Sequence, residues 1–263
     1  MLASQRRSAI ADLVEREGAV RISELVERLG VSDMTIRRDI DRLSSDGVVE
    51  RVHGGAVARE GTRRSEEPGF AAKSLLQQAQ KRAIARAAAD LVEPGSAIGI
   101  SAGTTTIELA RRLVTVPGLT VVTNSLPAAQ LLHEAAGPGQ TVILTGGVPT
   151  PSDALVGPIA VAALESLHVD VLFLGSHGVD AKAGLTTPNL VEADTNRALI
   201  RAGLRVCVLA DATKWGVVGL GTFGRLDDVD VFITDSGLTP GARRALHEHV
   251  GDLVVVEPED DPA

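Results

Sequence analysis

Glycine, hydroxyl and amide residues recur at points where a run of β-branched residues ends and a helical stretch begins. The first such point, residues 99–106, reads GISAGTTT and includes Ser101, Gly103, Thr104 and Thr105. A turn of this kind presents backbone N–H groups and hydroxyls at the positive end of a helix dipole, and these groups suit a phosphate. The same turn is also explained without any ligand, because glycine and threonine are ordinary turn residues.

Three later turns share this placement: TNS at 123–125, TGG at 145–147 and DATK at 211–214. The carboxyl ends of parallel strands meet at one edge of an open α/β sheet, and ligands bind at that edge. We therefore expect one anion site that includes Asn124, Gly146, Gly147, Asp211 and Lys214. Asn124 has a second interpretation, as the cap of the helix that follows it.

Two basic side chains add to this candidate site. Only four of the 26 basic residues are lysines, and Lys214 suits a phosphate monoester as a point charge. The alternative is a surface lysine paired with Asp211. His177, at another strand end, can donate to a phosphate or hydroxyl and make binding pH-dependent, or it is only a turn residue. No histidine has metal-ligand spacing with carboxylates, so we predict no metal and no cofactor.

A second set of chemically active residues lies on a predicted helix nearer the amino terminus. Ser32 caps this helix, which runs to about Asp46, and Ile36, Ile40 and Leu43 form one apolar stripe along it. A rotation of 100° per residue then places on the opposite face Met34, Thr35, Arg38, Asp41 and Arg42. That face is a candidate surface for a DNA groove. The alternative is a small helical bundle with a solvated charged face.

The side chains of this face differ in what they can contact on DNA. Arg38 is aimed at a guanine edge, whereas Arg37 lies at the flank and can reach a phosphate. Thr35 can contact a phosphate or a thymine methyl group, and Met34 can make apolar contact alone. The free N–H groups that follow Ser32 suit a further phosphate.

Shorter patterns on both sides of this helix complete a small domain. Helical periodicity predicts a first helix over 4–17 and a second over 24–29, the latter capped by Ser23. With the third helix they form a helix-turn-helix. Residues 48–52 and 56–58 alternate like the two strands of a hairpin, which predicts a wing.

A charged, turn-rich segment then interrupts the periodicity, so we place a linker at 59–70 between domains at 1–58 and 71–263. A long helix is predicted over 71–92. Beyond it, β-branched runs alternate with helical stretches, which indicates a mostly parallel sheet covered on both faces. The predicted strands span 97–100, 119–122, 141–144, 169–174, 204–209, 229–233 and 253–256, and the helices between them span 104–113, 126–135, 159–167, 191–202 and 240–249.

Length and composition fit a globular protein of two domains. The chain has 263 residues, of which 44% are hydrophobic and 23% are charged. No apolar run reaches the ~18 to 20 residues that a bilayer needs, and the amino terminus lacks a signal-peptide core. The single cysteine, Cys207, excludes an intrachain disulfide and cysteine-based metal frameworks. We expect a cytoplasmic protein with no membrane partner.

Aromatic content and charge limit the choice of ligand. Four Phe and one Trp, with no Tyr, leave almost no platform for stacking single-stranded nucleic acid or sugar rings. The net charge is −8, but residues 1–64 carry 12 arginines against 11 acidic residues, so the acidity lies in the remainder. A small domain with a net charge of +1 makes few phosphate contacts. We therefore expect a homo-oligomer, a dimer or a tetramer.

The third helix and the hairpin together form a long compound motif. Residues 31–40 read VSDMTIRRDI, Gly47 follows, and residues 51–56 read RVHGGA. This motif resembles the winged helix-turn-helix of DeoR-family bacterial transcriptional regulators. The resemblance implies that residues 32–42 recognise double-stranded operator DNA, with Arg51 and His53 of the wing near the DNA backbone.

Residues 93–235 resemble the DeoR-family sensor domain, whose fold is similar to that of ribose-5-phosphate isomerase. The resemblance implies an α/β protein with an N-terminal winged helix-turn-helix and a C-terminal, mostly parallel sensor domain of the ribose-5-phosphate isomerase-like type. It assigns the effector contacts, by motif, to Gly103, Thr104, Thr105, Asn124, Gly146, Gly147, Glu192, Asp211 and Lys214. Two positions depart from the family pattern. Ser101 stands where Asp is common and Ser176-His177 where Ala-Asp is common, which removes carboxylates able to hold sugar hydroxyls or act as bases.

These observations predict a sequence-specific DNA-binding transcriptional regulator, a repressor and not an enzyme, controlled by a phosphorylated sugar or a related metabolite. A first alternative is a sugar-phosphate isomerase with a DNA-binding appendage, which needs a carboxylate base over the reacting carbons. A second alternative treats the small domain as a protein-binding winged helix.

Overall fold

The structure is a computed structural model that describes residues 2–17, 19–52, 54–57, 70–74, 76–135, 137 and 139–258. It divides into two compact units, Met1–Gln78 and Ala79–Ala263. The predictions that fall outside the described residues are those for His53 and Ala58 on the wing and for the linker apart from its last residue.

The described residues 2–57 of the first unit form three helices and a small antiparallel sheet. Its elements are α1 (Ala3–Glu17), β1 (Ala19–Arg21), α2 (Ile22–Leu29), α3 (Asp33–Ser45), β2 (Glu50–Val52) and β3 (Gly55–Val57). The strand order is β1-β3-β2, so the predicted hairpin of β2 and β3 is present and β1 adds a third strand to it. The apolar stripe of α3 packs into a core shared with α1, α2 and the sheet, and Ile36, Ile40 and Leu43 are at most 1% exposed. The predicted winged helix-turn-helix is confirmed.

The ends of α2 and α3 follow from local chemistry. Ser32 caps α3 as predicted, because its Oγ accepts a hydrogen bond from the Thr35 N–H at 3.3 Å. Gly30 ends α2 in the left-handed conformation, with φ of 65°. The cap predicted at Ser23 is wrong: α2 begins earlier, and the Glu24 carboxylate accepts from the Arg21 N–H at 3.2 Å.

The long helix predicted over 71–92 is also wrong. Two helices occupy this stretch, α4 (Phe70–Ser74) and α5 (Gln78–Ala89). Gln77, between them, has a φ of 51°, which no α-helix accommodates. One helix was predicted because the alanine-rich sequence of α5 continues a helical pattern across this break.

The second unit is an α/β domain built on a seven-stranded parallel sheet. The strands of that sheet are β4 (Ala97–Ile100), β5 (Thr120–Thr123), β6 (Thr141–Leu144), β9 (Val171–Gly175), β12 (Val206–Leu209), β14 (Val231–Asp235) and β15 (Asp252–Val256). The helices between them are α6 (Thr104–Leu113), α7 (Leu126–Glu134), α8 (Pro158–Glu165), α9 (Leu190–Ala202) and α10 (Pro240–His247). Every ladder of this sheet is parallel, which confirms the predicted sheet type.

The strand order β15-β14-β12-β9-β4-β5-β6 creates a reversal in the middle of the sheet. From β4 the chain adds strands toward one edge, whereas from β9 it adds strands toward the other. The loops that leave the carboxyl ends of β4 and β9 therefore diverge, and such a switch point is where a ligand-binding crevice forms in open α/β sheets.

Two smaller sheets were not predicted. One is an antiparallel ribbon of β7 (Val148–Pro149) and β8 (Leu155–Val156), and the other combines β10 (Gly178–Asp180), β11 (Gly184–Thr187) and β13 (Gly221–Gly224) in the order β10-β11-β13. Their strands have two to four residues, too few for a readable period. Among the helices that the structure describes, none is long and apolar enough to cross a membrane.

Candidate DNA-binding face and candidate effector site

The outward face of α3, here called the reading face, consists of Met34, Thr35, Arg37, Arg38, Asp41 and Arg42. Thr35 is half-buried and the other five side chains are exposed, so the rotation predicted from the apolar stripe is correct. Met34 is 64% exposed and presents an apolar side chain at the start of this face. The Ser32 and Thr35 hydroxyls lie 2.9 Å apart and hydrogen-bond to each other.

The arginines of the reading face differ in their contacts. Arg37 forms a forked ion pair with Asp33, with Nε 2.5 Å from Oδ1 and Nη2 3.3 Å from Oδ2. This hydrogen bond raises the pKa of the Arg37 guanidinium. Arg42 Nε lies 3.1 Å from Asp46 Oδ2. Arg38 differs from both, because its Nη2 contacts the Met34 sulfur at 3.9 Å.

The wing contributes a further arginine beside this face. Arg51 on β2 forms an ion pair with Asp41 on α3, and both side chains are about half exposed. This contact joins the hairpin to the helix next to the surface that would face DNA. His53 lies outside the described residues, so its part in this surface remains a prediction.

One buried carboxylate of the first unit was not predicted from the sequence. Asp39 on α3 is 5% exposed, and its Oδ2 accepts from Arg6 Nε at 2.5 Å. Arg7 Nη1 lies 3.8 Å from the other carboxylate oxygen. The ion pair ties α1 to α3 from within. No spacing rule could have found it, since the partners are 33 residues apart.

In the second unit, the crevice at the switch point is bridged by Ser101. Its side chain follows β4, is 1% exposed and accepts a hydrogen bond at 2.9 Å from the N–H of Gly175, the last residue of β9. The loops that leave the two diverging strands are thus fixed to each other at the place where this fold class binds ligands.

The GTTT turn begins α6 directly above β4. Gly103 is the N-cap residue and supplies no side-chain cap, so the first N–H groups of the helix have no capping oxygen. Thr106 has a structural role, because its Oγ1 donates to the Ser101 carbonyl at 2.7 Å. Among the residues that the structure describes, the Thr104 and Thr105 hydroxyls have no hydrogen-bond partner. This turn therefore offers both N–H groups and hydroxyls to a ligand.

Asn124 joins two loops at the end of β5. Its Oδ1 accepts from the Ala102 N–H at 2.9 Å, and its Nδ2 donates to the Leu155 carbonyl at 3.1 Å. The alternative that Asn124 caps α7 is wrong, since Ser125 is the cap and accepts from the Ala128 N–H. The Asn124 amide is 1% exposed and holds the GTTT turn against the β7–β8 ribbon.

Gly146 and Gly147 follow β6 and have positive φ angles of 74° and 120°. A Cβ atom on Gly147 would lie 2.5 Å from the Val156 carbonyl oxygen, so glycine is required for the ribbon to pack against this turn. A Cβ atom on Gly146 would meet only the Ile159 side chain, at 3.4 Å. Both glycines are placed at the predicted edge, and Gly147 has a structural explanation there.

The DATK turn leaves β12, the strand next to β9. Asp211 is 2% exposed, and its Oδ1 accepts from the N–H and the hydroxyl of Thr213. Its Oδ2 is buried and has no hydrogen-bond partner. In the part of the chain that the structure describes, no carboxylate forms an ion pair with Lys214, so the alternative of a pair with Asp211 is not observed. Asp235, missed in the sequence, holds this turn by accepting from the Ala212 N–H at 2.7 Å.

Glu192 and His177 occupy less central places. Glu192 is buried near the start of α9, where its carboxylate accepts from Thr150 Oγ1 at 2.6 Å and from Thr187 Oγ1 at 3.2 Å. His177 is half-buried in the loop between β9 and β10. The Thr150 contact connects Glu192 to the β7–β8 ribbon, which also carries the Leu155 carbonyl bound by Asn124.

Two further observations concern metal binding and a cavity away from this edge. Within the described ranges, no three His, Cys, Asp or Glu side chains are grouped to hold a metal ion. An open cavity of about 400 Å³ lies between α8 and α9, and its lining includes Val191, Arg197 and Arg201. It is distinct from the strand ends that carry the GTTT and DATK turns.

Comparison with known proteins identifies both units. Residues 6–62 match the model of the DeoR-like helix-turn-helix domain, and residues 76–236 match that of the DeoR C terminal sensor domain. A solved structure of ribose 5-phosphate isomerase A from Methanocaldococcus jannaschii overlaps 51% of this chain and 53% of its own, at 18% identity and a TM-score of 0.38. A likeness at that level carries no argument about ligand or reaction.

Full-length relatives give the same assignment. The HTH-type transcriptional regulator YgbI of Escherichia coli K12 is 38% identical over 98% of this chain and 100% of its own length. The HTH-type transcriptional regulator GlpR of Haloferax volcanii is 36% identical over 97% and 98%, and the lactose phosphotransferase system repressor of Staphylococcus aureus N315 is 36% identical over 88% and 91%. The chain therefore belongs to the DeoR family of transcriptional regulators.

Proposed function

We propose that the protein is a repressor that binds operator DNA through the reading face and releases or holds it in response to a phosphorylated sugar or a related metabolite. The observation that carries this proposal is the placement of the GTTT, TNS, TGG and DATK turns along the carboxyl edge of one parallel sheet. A sensor controls DNA binding only if its ligand has different affinities for the DNA-bound and free states. A repressor of this kind acts on genomic DNA in the cytoplasm.

The contacts of the reading face favour direct recognition of a DNA base by Arg38. Its guanidinium is exposed and is not held by a carboxylate of the described residues, so it is available for a bidentate contact with guanine. Replacing Arg38 with Ala should weaken operator binding by about 1 to 3 kcal/mol and relax specificity at one base pair. The matched control is Arg205→Ala, which removes an exposed arginine from the sensor unit. Unchanged operator affinity and specificity in Arg38→Ala would favour the protein-binding alternative.

The side chains at the carboxyl edge of the parallel sheet favour an anionic ligand that also carries hydroxyl groups. Thr104, Thr105 and the start of α6 supply phosphate donors, and Lys214 supplies a positive charge. The buried Asp211 Oδ2 lacks a donor, and a carboxylate oxygen in that state is stabilised by a ligand hydroxyl or water. A phosphorylated sugar provides both kinds of group.

The test is a thermal-shift screen of phosphorylated sugars on wild type, Lys214→Ala and the control Lys182→Ala. A ligand at about 100 times its Kd stabilises the folded protein by about 2.7 kcal/mol. We expect stabilisation of wild type and Lys182→Ala, and a much smaller shift for Lys214→Ala. If no phosphate ester stabilises the wild type, the proposed ligand class is wrong.

We further propose that the protein regulates without catalysis. Ser101 stands where an acidic residue is common, and its Oγ is engaged with the Gly175 N–H. The Glu192 carboxylate is engaged by two threonine hydroxyls. Neither arrangement provides a free carboxylate base over a substrate carbon. Turnover of ribose 5-phosphate above background, abolished by Glu192→Ala, would instead establish the isomerase alternative.

Assembly into a homo-oligomer follows from the weak charge of the DNA-binding unit, because two or more units multiply the phosphate contacts. The sensor unit exposes the apolar side chains of Ile159 and Leu190, at 66% and 55%, near the exposed charges of Asp194 and Arg201. A patch with both charge signs suits a second copy of the same chain. Light scattering should show a lower mass for Ile159→Glu and no change for Leu204→Glu, which alters an exposed leucine just before β12. Equal masses for Ile159→Glu and wild type would exclude this patch.

A further inference from the structure

Three of the four arginines predicted to contact DNA are held by carboxylates of their own unit. The pairs are Arg37–Asp33, Arg42–Asp46 and Arg51–Asp41. All three arginines are about half exposed or more, so the pairs lie at the surface that would meet the duplex. These guanidinium groups are therefore not free to bind phosphate without giving up an existing partner.

Exposed pairs of this kind are weak and exchange readily, because water and salt screen them. A phosphate that approaches Arg51 can displace Asp41, but the displaced carboxylate stays near the negatively charged backbone. Binding of a phosphate to Arg51 thus involves the loss of an ion pair and a new repulsion. Every DNA sequence meets this cost, because phosphates are the same everywhere.

Operator and non-operator DNA differ in the contacts that can offset this free-energy cost. Non-specific binding is almost entirely electrostatic, whereas operator binding also includes base contacts. A carboxylate that competes with phosphate lowers both affinities, and only operator DNA has base contacts that restore tight binding. Arg38, which is aimed at a base and is not bound to a carboxylate of the described residues, does not share this restraint.

We propose that Asp41 competes with DNA phosphate for Arg51 and thereby lowers the affinity for every duplex, so that tight binding requires the base contacts that only operator DNA offers. Among the three paired aspartates, Asp41 is the strongest candidate because its ion pair joins two elements, α3 and the wing strand β2. Asp33 and Asp46 pair only within or at the end of their own helix. The inference rests on the proposed DNA binding by this face.

The experiment measures binding of the full-length protein to a fluorescent duplex of mixed sequence, by anisotropy at several salt concentrations. Asp41→Asn should tighten this binding by about 2- to 5-fold, the range expected for release of one exposed ion pair. The slope of log K against log salt should steepen by up to about 0.9, since one more phosphate charge is neutralised. Both readouts are independent of the operator sequence.

A double-mutant cycle separates competition for Arg51 from a change in net charge. In an Arg51→Ala background, Asp41→Asn should tighten binding no more than Glu50→Gln does. Glu50 is the matched control because it is an exposed acid next to Arg51 whose side chain makes no ion pair with any described residue. Its substitution should have the same small effect with or without Arg51.

Three results would overturn the inference. If Asp41→Asn has the same effect in both backgrounds, Asp41 acts only through its charge. If Asp41→Asn lowers the affinity for the operator through loss of discrimination at one base pair, and leaves the affinity for the mixed-sequence duplex unchanged, Asp41 contacts a cytosine instead. If wild type binds no duplex at low salt, the proposed function fails as well, and this outcome is distinct from wild-type binding without coupling.

Discussion

The buried ion pair of Asp39 leads to a sharp stability prediction. Replacing Asp39 with Ala leaves the Arg6 guanidinium, whose side chain is only 11% exposed, without its carboxylate. Removing one partner of a buried pair costs about 3 to 5 kcal/mol, and the partial exposure of Arg7 places our expectation near about 3 kcal/mol. A unit of this size has a free energy of unfolding of roughly 4 to 12 kcal/mol, so the loss is a large fraction of it.

The matched control is Asp41→Ala, two residues further along α3. Both substitutions gain the same helix propensity, but the Asp41 pair with Arg51 is half exposed and contributes less than about 1 kcal/mol. The difference between the two variants therefore measures burial alone. We expect about 2 to 3 kcal/mol, which in a small domain corresponds to a shift of roughly 10 °C or more in Tm.

The chain provides separate probes for its two units. Trp215 is the only tryptophan and lies in the sensor unit, and the chain has no tyrosine. Tryptophan fluorescence therefore follows the unfolding of the sensor unit, whereas the far-ultraviolet circular dichroism signal includes the helices of the DNA-binding unit. Asp39→Ala should shift a dichroism transition and leave the fluorescence transition in place. Equal shifts for Asp39→Ala and Asp41→Ala would refute the structural role of the buried pair.

Further substitutions and conditions test three local features. Ser32→Ala should destabilise the DNA-binding unit by about 1 kcal/mol, seen in the dichroism transition, because α3 loses its cap. Gly147→Ala should destabilise the sensor unit by about 2 to 3 kcal/mol, and Gly146→Ala by only about 1, because the Gly147 Cβ would meet a backbone oxygen; equal fluorescence shifts would contradict this. Burial raises the pKa of the Cys207 thiol to about 12, so a thiol reagent at pH 8 should label Cys207 only after unfolding. The same shift predicts that the stability of the sensor unit falls as pH rises above about 8.5, the pKa of an unfolded cysteine, toward 12.

The elements that the sequence predicted well are those with strong local signals. Strands β4 and β6 and helix α6 have the predicted bounds, because β-branched runs end at clear turn residues. Strand β1 could not be predicted, since three residues carry no period and the strand exists only because β3 has a free edge. The break at Gln77 also lacked a signal, because neither glycine nor proline marks it.

The sheet edge that carries the candidate effector residues was predictable from the sequence, whereas the contacts among these residues were less so. Strand-end turns identify the edge, because parallel strands place their carboxyl ends together. They do not reveal that Asn124 links two loops or that Asp235 holds the DATK turn, since these partners are 22 and 23 residues apart in the chain. Such contacts depend on which strands become neighbours. The strand order itself was not predicted.

Acidic residues on α3 illustrate why residue type and spacing leave the role of a side chain open. Asp39 and Asp41 are two residues apart on one helix, and each pairs with an arginine. Asp39 faces the core, where loss of its charge leaves a buried guanidinium unsatisfied. Asp41 faces solvent, where its pair is weak enough for a phosphate to displace. The same chemical pair thus stabilises the fold in one position and restrains DNA binding in the other, and burial decides between the two.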